Sequence, residues 1–113
     1  MLLKVVLTAR AQTSMEEITD FYLAEYSADR TLKVIQSIDE AYNTIANRPY
    51  AFPICFDLAK PVNHIRQIIV HNTFKIVYRI SKDKIEVLEI FHGNRNPALL
   101  LDIESQKENH HST

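Results

Sequence analysis

Between Ile65 and Phe91 three β-prone runs follow one another with almost no chain between them. Ile65 to Val70, Phe74 to Ile80 and Ile85 to Phe91 are separated only by His71-Asn72-Thr73 and by Ser81-Lys82-Asp83-Lys84. Connections this short close hairpins; a parallel crossover takes roughly a dozen residues or more. The three runs are therefore constrained to an antiparallel meander. In the middle run Phe74, Ile76, Tyr78 and Ile80 fall on one face and Lys75, Val77 and Arg79 on the other.

What precedes the meander has a different period. Leu3 to Leu7 is rich in β-branched residues and reads as a first strand. Ser14-Met15-Glu16-Glu17 fits a capping box, and Met15, Ile18, Phe21, Tyr22 and Tyr26 recur at helical spacing to about residue 27. Ser27-Ala28-Asp29 interrupts the pattern and supplies a new cap. Val34, Ile35, Ile38, Ala41, Tyr42 and Ile45 then form one stripe, which Pro49 stops. Residues 50–63, with Pro53 and Pro61, have no period and read as a loop or a short edge piece. The expected architecture is α+β, in the order β-α-α-β-β-β: an antiparallel sheet with a helical hairpin packed on one face. The opposite face is expected to be partly polar and open, presenting charge from Arg66, Lys75 or Arg79.

At 113 residues this is one domain, read here as residues 1–97 with a partly disordered tail at 98–113. Leu99-Leu100-Leu101 in that tail either packs on the domain or meets a partner. With 46% hydrophobic and 24% charged residues the chain has the composition of a soluble globular protein. No run approaches about 18 apolar residues, so no membrane span is expected. The apolar start, Met1 to Leu7, is broken by Lys4 and lacks a positive leader, so it reads as a strand and not a signal peptide. Cys55 is the single cysteine, which excludes a disulfide framework and a thiolate cluster and makes a cytoplasmic setting the expectation. It reads as a small buried hydrophobe. One glycine cannot build a glycine-rich phosphate loop, and His110 and His111, adjacent in the tail, are not read as metal ligands; neither cofactor nor metal is expected. The net charge is −1, but it is uneven: residues 54–96 carry a net +3, flanked by segments of net −2.

The informative stretch is 64–97: His64-Ile65-Arg66 entering a strand, then Phe74-Lys75-Ile76-Val77-Tyr78-Arg79-Ile80, then Ile90-Phe91-His92-Gly93-Asn94-Arg95-Asn96-Pro97. With the helical hairpin before it, this resembles the RelE/ParE superfamily, the toxins of type II toxin–antitoxin or plasmid stabilisation modules. The family pattern is an arginine opening the strand after the hairpin, an aromatic-basic-aliphatic-aliphatic-Tyr strand, and a strand ending in a His-x-x-Arg-like segment. The resemblance covers residues 1–97 and implies a cytoplasmic toxin with a cognate antitoxin as partner. Oligomeric state is left open, a homodimer included.

Two activities are implied. The ParE-like branch binds DNA gyrase and poisons it. The RelE-like branch cleaves messenger RNA on the ribosome, which needs a base for the 2′-hydroxyl, a cation on the phosphate and an acid for the leaving oxygen. In that reading Arg66 holds the phosphate, His92 is the acid–base group, Arg95 is a second clamp, and Asp57 and Glu89 are candidate bases. Lys60, Arg66, Tyr78, Arg79 and Arg95 are the candidate binding residues in either branch. The low net charge and the His-Gly-Asn-Arg-Asn-Pro ending place the chain closer to the ParE-like branch. A third reading keeps the fold as a non-toxic binding module. Each residue also has a structural reading: Arg66 pairing Glu86 or Glu89, Tyr78 in the core with its hydroxyl at the rim, and His92 capping a strand end.

Overall fold

The computed structural model describes residues 3–55 and 60–93. Six elements follow in the expected order: β1 (Lys4–Leu7), α1 (Ala9–Glu25), α2 (Ala28–Asn47), β2 (Ile65–Val70), β3 (Phe74–Ile80) and β4 (Lys84–His92). The sheet order is β1-β4-β3-β2, so the meander supplies the centre and β1 closes one edge. β2, β3 and β4 are antiparallel neighbours, while β1 lies parallel to β4 and makes the sheet mixed. The reason is the path of the hairpin. It returns the chain to the end of the sheet where β1 began, with Leu3 N–H donating to the Ala46 carbonyl. β2 starts from that same end, and two antiparallel reversals later β4 runs in β1's direction.

The first helix starts earlier than its capping box suggests. Thr8 is the N-cap, its hydroxyl accepting from the Ala11 amide at 3.1 Å and donating to the Leu88 carbonyl at 3.0 Å. Ser14 therefore lies within the helix, buried, and its hydroxyl donates to Glu89. The second helix begins as its cap predicts, with Ser27 accepting from Arg30 N–H at 3.1 Å. Ala11, Ile18 and Tyr22 of α1 and Ile38, Ala41 and Ile45 of α2 face the sheet, against Val70, Phe74, Ile76, Val87 and Ile90. Each buried isoleucine, valine or phenylalanine of this layer is worth about 1.5–3 kcal/mol relative to exposure.

The opposite face is not open at its centre. Val77, Leu88 and Phe91 are buried there with Cys55 and Ile65, because β3 and β4 are inner strands with apolar residues on both faces. Cys55 is fully buried, as its apolar neighbours suggest. It is carried there by a short edge piece: Ile54 pairs with Arg66, and the Cys55 and Gln67 amides donate to the Ile65 and Pro53 carbonyls at 3.0 Å. On the β4 side a bulge interrupts the ladder at Val77/Tyr78. It turns Glu89 toward α1, where the carboxylate accepts from Ser14 and from the Ile90 amide at 2.8 Å, 4.0 Å from Arg10 Nε.

His71 and Asn72 form the β2–β3 turn with φ of 53° and 54°. Two consecutive left-handed residues are the type I′ geometry that matches strand twist, and asparagine tolerates it better than most residues. Among the described residues no helix is long and apolar enough to cross a membrane.

Candidate functional site

The strand register places the sequence-derived candidates at two opposite ends of the sheet. Arg66 pairs with Tyr78, and His92 pairs with Phe74 on the far side of β3. Four residues along β3 and two interstrand steps separate them, on the order of 16 Å between backbones. A general acid or base must come within hydrogen-bond reach, or one water, of its atom. Arg66 and His92 thus do not meet over one phosphodiester.

Arg66 shares the helix-facing side of the sheet with its partner Tyr78, and does not present charge on the opposite face. Its guanidinium is committed to the chain itself. Nε donates to the Asn63 carbonyl at 2.9 Å, Nη1 to the Tyr50 and Phe52 carbonyls at 3.0 and 2.9 Å, and Nη2 to Asn63 Oδ1 at 2.5 Å. It also lies 4.9 Å from the centre of the Tyr50 ring. It pairs with neither Glu86 nor Glu89; Arg79 takes Glu86, with Nε 3.1 Å from the carboxylate. Beside it Tyr78 is fully buried, and its hydroxyl donates to the Pro49 carbonyl at 2.7 Å. Together these two side chains pin the segment after α2 to the sheet. Lys60 is exposed on the approach to β2. Asp57, Arg95 and the Leu99–Leu101 run lie outside the described residues.

Burial pushes the Tyr78 hydroxyl up to about 12 from 10, with Arg66 opposing the rise. Burial, with Asp39 adding to it, raises Tyr42 as well. Between pH 10 and 12 the unfolded chain has released the Tyr78 proton and the folded chain still holds it. The stability this proton contributes is whole below pH 10 and falls as pH rises through 12. Denaturant midpoints measured from pH 8 to 12 should drop on the alkaline side, and Tyr78→Phe should flatten part of that drop.

At the other end His92 lies in an aromatic cluster. Its ring stacks on Phe74 with centroids 5.0 Å apart, meets Phe21 edge-on at 5.1 Å, and brings Nε2 to 3.4 Å from the Tyr22 hydroxyl. Tyr26 stacks on Tyr22 at 5.2 Å, and the Arg30 guanidinium sits 4.4 Å over Tyr26. Phe21 and Tyr26 are 43% and 46% exposed, beside Leu23 and Leu32 on the same hairpin. The sequence reading placed Phe21 and Tyr26 in the buried stripe. With the helix starting at Ala9, the buried line is Ala11, Ser14, Ile18 and Tyr22, and the other two aromatics fall outside it. Arg30 close after Tyr26 is the signal that marks this end. Glu89, a candidate base, is buried beneath α1 and serves the bulge. Among the described residues no group of three or more His, Cys, Asp and Glu could hold a metal ion.

A helical hairpin over one face of a four-stranded sheet, with its conspicuous arginine locked into the fold, defines a small α+β domain. The solved structure titled "Chromosomal ParDE TA system from P. aeruginosa" has this fold: TM-score 0.66 at 18% identity, over 82% of this chain and 98% of that one. No curated protein matches the sequence. The sequence model described as "ParE toxin of type II toxin-antitoxin system, parDE" matches residues 5–97, and the chain belongs to that family.

Proposed function

We propose that the protein is a ParE-like toxin that acts by binding DNA gyrase, and that a cognate antitoxin chain neutralises it. The observation that carries the reading is the state of Arg66. A nuclease of the related RelE-like type needs that guanidinium on the scissile phosphate, and here it is spent on the carbonyls of Tyr50, Phe52 and Asn63. The distance from Arg66 to His92 supports the same conclusion, since acid–base help and phosphate clamping would act on different places. The family match supports the toxin–antitoxin setting and with it the antitoxin.

Expression from a tight promoter tests this in cells. Growth arrest accompanied by relaxation of a reporter plasmid is the expected result. Co-expression of the small protein encoded beside the toxin should restore both and yield a stoichiometric complex. Normal growth with normal plasmid topology would remove the gyrase reading and leave the non-toxic binding module.

A further inference from the structure

The net charge of −1 conceals a polar molecule. α2 ends, β1 and β4 begin, and β3 turns into β4 all at one end of the sheet. Exposed there are Lys4, Lys82, Lys84 and the C-cap residue Arg48, with Asp83 as the one exposed acid among the described residues of that end; Glu86 is taken by Arg79. His64 is exposed beside them, its carbonyl receiving the Ile80 amide at 2.7 Å. The tip of the helical hairpin has an acidic excess, with Asp20, Glu25 and Asp29 exposed around Arg30.

Two further observations point to a ligand. Lys4 and Lys84 are register partners on adjacent strands. Like charges directly opposite each other destabilise a sheet, and an anion bridging both removes that cost. Among the described residues the basic end also has no large exposed aliphatic side chain: Leu23 and Leu32 are on the helical hairpin and Ile69 is in the half of β2 paired with Lys75. A protein-docking surface needs an apolar centre, and among its described residues this end has lysines around a single exposed aromatic, Tyr50. One aromatic is too few for the stacking platforms that hold single strands. The backbones of Lys4 and Lys84 lie on adjacent strands about 4.8 Å apart, and their flexible stems let both ammonium groups reach the dense phosphates of a duplex.

We infer that this end, centred on Lys4, Lys82, Lys84 and Arg48, binds the phosphate backbone of duplex DNA without reading its sequence. The binding is a property of the toxin alone and is measured without gyrase, so it stands or falls separately from the proposed target. The test is fluorescence anisotropy of a labelled DNA duplex titrated with the full chain, with oligo-dT and polyglutamate as competing probes. Neutralising about four phosphates predicts a log–log salt slope near −3.6, or on the order of a 10²-fold loss of affinity between 50 and 200 mM salt. Lys82→Ala with Lys84→Ala, both exposed at the turn, should make the slope shallower by about 2. Lys33→Ala, toward the acidic end, should leave it unchanged. Circular dichroism checks that each variant is folded. No duplex binding at low salt, or the same slope in the double variant, overturns the inference. So does tighter binding of polyglutamate, which would assign the surface to an acidic protein, or of oligo-dT.

Discussion

Replacing Tyr78 with alanine should cost about 3–5 kcal/mol of folding stability, the range for truncating a large buried aromatic. For a domain of this length that lowers the melting temperature by roughly 15–25 °C and leaves little folded protein at growth temperature. The side chain is fully buried against Ile45, Ile80 and Ile85, so its removal opens a cavity under the C-terminal end of α2. Tyr78→Phe separates the ring from the hydroxyl. It keeps the packing and removes only the donor to the Pro49 carbonyl, for a loss of about 1 kcal/mol. Thermal denaturation of the two variants beside the native chain measures both. A mild Tyr78→Ala variant would mean that this residue is free to face a partner, as its place in the family pattern suggests.

Arg66→Ala should be the second most damaging change, at about 2–3 kcal/mol. Charged donors are worth more than neutral ones, and carbonyls of Tyr50, Phe52 and Asn63 lose their partner together, though partial exposure limits the loss. Arg66→Lys should recover less than half, because an ammonium cannot fork between carbonyls on two segments. Chemical denaturation gives these values. Toxicity should follow the amount of folded protein: cooling the Arg66→Ala variant until it folds should restore its effect on growth. A phosphate-binding arginine behaves otherwise, with activity lost at every temperature and stability unchanged.

Both residues show how far the sequence could be read. The meander was legible because its connectors are too short for anything else, and the bounds of β2 and β3 follow directly from the runs Ile65 to Val70 and Phe74 to Ile80. The hairpin was legible from its stripe and from Ser27. The start of α1 was not, because Ser14 and Glu17 imitate a capping box while Ser14 actually serves a carboxylate 75 residues later in the chain. Nor was the closed second face, which depends on β3 and β4 being inner strands and on Cys55 reaching it from an edge piece. The site was the least legible part. Sequence order put Arg66 and His92 in one motif; register separates them, and only register could show that Arg66 shares Tyr78's face. Likewise Lys4 and Lys84 are neighbours through a parallel pairing that links the two ends of the domain.

Among the described residues the register holds Arg66 and His92 apart, which is the observation behind the proposed action by binding rather than by RNA cleavage. The central claim is therefore action on a macromolecular target by contact. Its most direct test is gyrase supercoiling of relaxed plasmid in the presence of the purified, folded chain. The expected result is loss of supercoiling that rises with toxin concentration and is reversed by the cognate antitoxin. Full supercoiling in that assay, with codon-positioned cuts appearing when the same preparation meets mRNA on programmed ribosomes, would contradict the claim.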